Sequence, residues 1–127
     1  MDDEAVYGPQ VASYSREQAF AEGLFISIPP AAASAAGIGM RLIITAGARR
    51  EFVAGTDGDE ETRLQAVLSA VARAVQQEKD PNEVCFVVRA EDLPSGESPT
   101  GADQLIAITE PGDTGDPIMT LMLAHEM

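Results

Sequence analysis

The spacing of apolar and polar positions along this chain is mainly typical of helices up to about residue 80 and typical of strands after it. The clearest helical segment runs from residue 60 to about residue 78, where apolar side chains recur every three or four positions. Those positions are Leu64, Val67, Leu68, Val71 and Val75. Asp80, Pro81 and Asn82 follow the segment, and the pattern predicts one long amphipathic helix that ends before them.

Four shorter segments are predicted before that helix. Each is followed closely by glycine or proline, the residues that most often end helices and strands. The segments are a helix at 15–22, a strand at 24–28, a helical turn at 31–36, and a strand followed by a helix within 41–53. In the last of these, Gly47 lowers the helical propensity by about 1 kcal/mol relative to alanine.

After residue 83 the pattern is typical of strands. Three apolar segments near 83–90, 103–109 and 117–124 are separated by stretches rich in Pro, Gly, Ser and Asp. The turn cluster 111–116 predicts an antiparallel hairpin between the last two. Helices followed by strands, without regular βαβ alternation, predict an α+β fold with an N-terminal helical half and an antiparallel sheet of at least three strands. We expect one domain over 1–127, with residues 1–10 as a partly ordered acidic lead-in.

The C-terminal strands are apolar on both faces. In the first of them Val84, Phe86 and Val88 alternate with Cys85 and Val87. A sheet with one face in water would instead alternate apolar and polar residues. Either helices of the same chain cover both faces of this sheet, or one face contacts a partner. In the second case the partner can be another copy of the chain, which would give a homodimer through the C-terminal sheet.

The charge of the chain excludes some partners. Its 21 Asp and Glu against 8 Lys and Arg give a formal net charge of −13. Phosphate backbones and anionic lipids repel such a chain, so we expect no direct nucleic-acid binding and no membrane association. The single cysteine indicates a reducing compartment, and the start Met1-Asp2-Asp3-Glu4 is unlike a basic signal peptide. We therefore expect a cytoplasmic protein.

The sequence contains no evident catalytic constellation. Cys85 would need a base within hydrogen-bond reach to act as a nucleophile, and the one histidine is His125, near the C-terminus. We expect Cys85 to be a packed core cysteine. One Cys and one His cannot close a zinc site, and the acidic turn at 57–61 has Leu68 where a calcium loop carries its twelfth-position glutamate. We predict no catalytic residue, no metal and no cofactor.

Two blocks near the ends of the chain carry a resemblance. They are SYSREQA at 13–19 and PGDTGDPIMTLML at 111–123. Together they resemble a family of small proteins encoded by bacterial phages and plasmids, and the middle of the chain fits that family in outline. The resemblance implies a mobile-element setting, and it implies no activity, cofactor or catalytic residue.

The leading functional prediction is a non-catalytic, acidic protein-interaction protein of a phage or plasmid. It would bind its partner through an uncovered sheet face or through an acidic patch at the start of the long helix. The patch consists of Asp57, Asp59, Glu60 and Glu61.

Two alternatives remain beside this prediction. In the first, the same patch, joined by the acids at 2–4, presents a stripe of carboxylates that mimics DNA and inhibits a host nucleic-acid-binding defence protein. In the second, the chain is a small hydrolase whose turn carboxylates hold a divalent metal. The carboxylates of that hydrolase would be Asp57, Asp59, Asp113 and Asp116.

Overall fold

The computed structural model describes residues 16–56, 58–96, 99–112 and 115–126. These residues form four α-helices and five strands. In chain order they are α1 (Arg16–Ala21), β1 (Phe25–Ser27), α2 (Pro30–Ala35), β2 (Arg41–Thr45), α3 (Ala46–Phe52), α4 (Glu60–Gln77), β3 (Cys85–Arg89), β4 (Gln104–Pro111) and β5 (Pro117–Leu123). Short 3-10 helices at Ala90–Asp92 and Ala124–Glu126 follow β3 and β5.

Local sequence signals set several of these boundaries. Pro30 occupies the first turn of α2, where its missing N–H needs no partner. Gly37 follows α2 with φ +81°, a conformation that glycine adopts without strain, and this turns the chain out of the helix. Thr45 ends β2 and begins α3, because its hydroxyl accepts the N–H of Ala48 at 3.1 Å as a helix cap.

The five strands form one sheet in the order β1-β2-β5-β4-β3. Neighbouring strands are antiparallel except for β2 and β5, which run parallel. β5, the last of the described strands, therefore lies in the centre of the sheet, between β2 and its hairpin partner β4. The α+β class and the antiparallel C-terminal sheet are confirmed, and the sheet also includes two strands from the N-terminal half.

The main core lies on one face of this sheet. α4 places Val67, Leu68 and Val71 there without measurable exposure, as its apolar spacing predicted. They belong to the same apolar cluster as Ile44 of β2 and Leu121 of β5, and α2 and α3 contribute to it. Burial of this apolar surface is the dominant stabilising term for the fold.

The opposite face of the sheet is buried as well. Ile43 of β2 and Ile106 of β4 are only 0% and 3% exposed. α1 lies on this side, since the Phe20 ring packs edge-on against Phe25 with 5.9 Å between centroids, and the Arg41 guanidinium lies 5.7 Å from the Phe20 centroid. The sequence predicted two apolar faces for the C-terminal strands, and at β4 and β5 the folded chain buries apolar residues on both faces. At β3, by contrast, Val87 stays about half exposed.

Candidate functional site

β3 is an open edge of the sheet. Within the described residues it has a strand neighbour, β4, on one side only. The N–H of Thr109 donates to the Val84 carbonyl, and the N–H of Ala90 donates to the Asp103 carbonyl, both at 2.8 Å. Backbone bonding alternates along an antiparallel pair. The even-numbered residues of 86–90 and the Val84 carbonyl therefore bond to β4, and the odd-numbered residues direct their N–H and C=O groups away from the sheet.

This edge is apolar in the middle and charged at its ends. Val84 and Val87 are 52% and 49% exposed, and they are the two most exposed large apolar side chains of the described residues. Glu83 precedes the apolar segment and Arg89 ends it. The segment 84–88 contains neither a charge nor a proline, the features by which natural edge strands avoid pairing with other chains. The edge is thus a template for another extended chain.

The charged residues at the two ends make exposed contacts of their own. The Glu83 carboxylate accepts the N–H of Cys85 at 3.1 Å and that of Val84 at 3.2 Å. At the other end, the Arg89 guanidinium donates to Glu91 at 2.8 Å, and both of these side chains are 67% exposed. This hydrogen bond to Glu91 raises the pKa of Arg89. Such exposed contacts stabilise little, so they can be exchanged for contacts with a partner.

Two grooves run along β3 where it meets α4. One has a volume of about 270 Å³ and includes Glu78 and Cys85 in its lining. The other has a volume of about 370 Å³ and includes Arg73 and Asp92. Both are lined in part by Ala74, Gln77 and Val87. A helix beside an open strand edge is a geometry that can receive an added strand and the side chains it carries.

The other edge of the sheet, β1, is protected. It has only three residues and is followed by Pro29 and Pro30, which have no N–H to donate. A largely apolar groove of about 350 Å³ lies beside it, and the ion pair between Arg49 and Glu60 contributes to its lining. Of the two edges of the described sheet, β3 is the one suited to pairing.

Glu60, a member of the predicted acidic patch, is engaged in contacts within the fold. Its Oε1 pairs with Arg49 at 2.8 Å and its Oε2 accepts the N–H of Gly55 at 2.8 Å. The hydrogen bond from Gly55, together with the charges of Arg49 and Arg63, lowers the pKa of Glu60. Glu60, the first residue of α4, is therefore bonded both to α3 and to the loop between the two helices.

The other three patch residues differ in their positions. Asp59 is the residue that precedes α4, Glu61 is exposed in the first turn, and Asp57 lies outside the described residues. The arginines around Glu60 place positive charge among the acids, whereas mimicry of DNA needs an uninterrupted stripe. DNA mimicry, including the part given to residues 2–4, which also lie outside the described residues, stays a prediction.

The sheet register separates Cys85 from His125. Cys85 pairs with Ile108 on β4, whereas β5 ends at Leu123, beside Leu105. Three residues along the strands and two strand spacings separate these points by roughly 14 Å. His125, two residues beyond the end of β5, is not within hydrogen-bond reach of the thiol. Cys85 is also half-buried, not fully packed in the core as expected, because its strand lies at the sheet edge.

The described residues give the hydrolase alternative no metal site. Among them, no three His, Cys, Asp or Glu side chains are grouped so that they could hold a metal ion. Asp113 and Asp57 lie outside the described residues, so this alternative stays a prediction. None of the described helices is both long enough and apolar enough to span a membrane.

Glu51, a residue that the sequence did not single out, is a buried carboxylate at the end of α3. It is 4% exposed and accepts the backbone N–H groups of Thr100, Gly101 and Ala102 at 2.9–3.1 Å, with the Thr100 hydroxyl at 2.5 Å. Burial raises the pKa of Glu51, but these hydrogen bonds together outweigh burial and lower it. The sequence gives no signal for this role, because Glu51 follows two arginines near the end of a short helix, where a glutamate is usually exposed.

Comparisons with known proteins identify no relative of this chain. No family model matches it, no curated protein matches it, and no solved structure matches it. The resemblance of the two end blocks to the phage and plasmid family therefore stays a prediction. Any function has to be argued from the geometry of the chain itself, in which β3 is the most distinctive feature.

Proposed function

We propose that this chain is a non-catalytic protein-interaction protein that binds an extended segment of its partner along the open edge of β3. One observation carries the proposal: the uncharged segment 84–88 combines outward backbone groups with the exposed side chains of Val84 and Val87. In strand addition the main-chain hydrogen bonds supply affinity, and pockets for side chains supply specificity. The two grooves between β3 and α4 are suited to the second task.

The proposal includes the biological setting implied by the family that the two end blocks resemble. In that setting the chain is a phage or plasmid protein that acts in the cytoplasm of a bacterium. Its net charge of −13 supports a protein partner over a nucleic acid, because phosphate groups would be repelled before they reached the edge.

The test compares immobilised wild-type protein with two edge variants as baits in a bacterial lysate. Val87→Pro removes the outward N–H at the centre of the edge, and the proline ring obstructs an added strand. Val87→Lys leaves the backbone unchanged and puts a charge on the edge. We expect a partner retained by the wild type to be lost with both variants, while far-UV circular dichroism shows that both are folded.

Glu61→Gln is the matched control for the predicted acidic patch. It removes one exposed charge from the first turn of α4 and leaves β3 unchanged. We expect this variant to retain the partner. Loss of the partner with Glu61→Gln, together with retention by both Val87 variants, would refute binding at β3 and would favour the acidic patch.

A further inference from the structure

The proposed function leaves the partner at β3 unnamed, and the charges along this edge identify one. Resting on that function, we infer that the partner is a second copy of this chain, whose β3 pairs antiparallel with the first about a twofold axis at Phe86. Three features of the β3 edge support such a pair: the outward backbone groups, the charges that face each other, and the apolar side chains that become covered.

The backbone restricts the register of such a pair. Since only the odd-numbered residues of β3 direct N–H and C=O groups outward, odd-numbered residues of one copy must face odd-numbered residues of the other. A twofold axis at Phe86 meets this condition. It places Cys85 of each copy opposite Val87 of the other.

Charge selects this register among those the backbone permits. With the axis at Phe86, Glu83 of each copy lies opposite Arg89 of the other, and such opposite-charge pairs across strands are favourable. An axis at Val87 would place Glu83 opposite Glu91, and these like charges would repel. An axis at Cys85 would place Glu83 opposite Val87 and leave Arg89 opposite Pro81.

The same register brings apolar side chains together on both sheet faces. On one face, Phe86 of one copy faces Phe86 of the other across the axis, and Val84 faces Val88. On the other face, Val87 lies beside Cys85. Val84 and Val87, which the single chain leaves about half exposed, therefore gain apolar neighbours, and removing apolar surface from water drives association.

The net charge of −13 on each copy opposes this association at low ionic strength. At physiological ionic strength the repulsion between charges farther apart than about 8 Å is largely screened. The charges at the paired edge then decide the register. The experiments therefore belong at physiological salt.

Sedimentation equilibrium of the wild type, Glu83→Arg and Arg89→Glu tests the inference. We expect the wild type to be a dimer and each variant to dimerise at least about tenfold more weakly, because each reversal creates two like-charged pairs. An equimolar mixture of the two variants recreates both opposite-charge pairs and should dimerise as the wild type does. A monomeric wild type would overturn the inference, and so would a mixture no tighter than the separate variants.

The single cysteine of the chain reports the register independently. With the axis at Phe86, the two Cys85 residues lie diagonally across the paired strands, with about 8 Å between their Cα atoms. This distance is too long for a disulfide but suits a short bis-maleimide. We expect a cross-linked dimer with the bis-maleimide and none under mild oxidation, with N-ethylmaleimide labelling as the control for access to the thiol. A disulfide-linked dimer would contradict the register.

The inference and the proposed function can fail separately. A monomeric wild type that captures a lysate partner, and loses it with Val87→Pro, retains strand addition and overturns the second copy as partner. A dimer that the charge reversals weaken and their mixture restores supports the second copy. If that dimer captures no lysate protein through Val87, the edge serves self-association alone.

Discussion

Among single residues, Glu51 shows how this small fold holds a buried charge. Its carboxylate receives hydrogen bonds from three consecutive backbone N–H groups at 100–102 and from the Thr100 hydroxyl. Successive N–H groups of this kind form a concave site for an anion, and here the anion is a side chain of the same chain. Glu51 therefore fixes the loop that leads into β4.

Glu51→Gln should lower the free energy of unfolding at pH 7 by about 1–3 kcal/mol, because a neutral amide accepts hydrogen bonds more weakly than a carboxylate. Folding lowers the pKa of Glu51, so the ionised group stabilises the fold above its unfolded pKa, about 4.3. That contribution is lost as the pH falls through the lower folded-state pKa. Urea unfolding between pH 7 and pH 3 measures the effect: the difference between wild type and variant should shrink below about pH 4. A difference that does not change with pH would contradict a role for the charged form.

Gly47 is a second residue whose identity is explained by the tertiary structure. A Cβ at this position would lie 2.5 Å from Oε2 of Glu126. The other oxygen of Glu126 accepts the Thr45 hydroxyl at 2.7 Å and the Leu123 N–H at 2.8 Å. Gly47 lowers the helical propensity of α3, and its lack of a side chain leaves the space in which the Glu126 side-chain carboxylate reaches the start of that helix.

Among the elements, α3 and the loop before β4 form one packed unit. The N–H of Gly96 donates to the Glu51 carbonyl at 2.8 Å, which satisfies one of the carbonyls that a helix end leaves without an intrahelical partner. The loop approaches the helix so closely that a Cβ on Gly96 would lie 2.5 Å from the Arg50 carbonyl oxygen. Backbone, not a movable side chain, occupies that space.

Gly96→Ala should therefore destabilise the protein by about 2 kcal/mol, since the loop or the end of α3 must shift. Gly39→Ala is the matched control, because nothing lies within 4 Å of a Cβ there and its backbone is not left-handed. We expect the control to change stability by no more than about 0.5 kcal/mol. Chemical denaturation of the two variants measures both effects, and equal stabilities would refute the close contact at Gly96.

At the scale of the whole molecule, β5 joins the two halves of the chain. It pairs parallel with β2 from the N-terminal half and antiparallel with β4 from the C-terminal half. Its central position buries Met119 and Leu121 almost completely. The same strand order leaves β3 at the end of the sheet, so the proposed interaction edge is a consequence of where β5 inserts.

The folded molecule carries a net charge of −13 on a chain of only 127 residues, so its acids repel one another. Added NaCl should raise the thermal midpoint of dilute protein at pH 7, because salt screens repulsion among the acids. The rise should be smaller in a variant that combines Glu78→Lys and Asp80→Lys, two exposed positions, since fewer excess acids remain. Differential scanning calorimetry measures both, and a midpoint that falls with salt would contradict the expectation.

The sequence by itself determined the elements of this protein and their class. The apolar spacing of α4, the prolines after β1 and the turn residues between β4 and β5 act over a few positions, so the elements lie close to where they were predicted. The order of those elements along the chain was sufficient to predict an α+β fold. The sequence likewise predicted that both faces of the segment 84–88 are apolar.

Only the tertiary structure decided the strand order and the site. The pairing of Ile44 with Leu121 joins residues far apart in sequence, and which faces it buries cannot be read from either segment alone. Three-dimensional contacts also engaged Glu60 with Arg49 and Gly55, while the strand order left β3 open. Propensity and periodicity are local properties of a chain, whereas the choice of a strand's neighbour depends on the apolar surface that the whole molecule can bury.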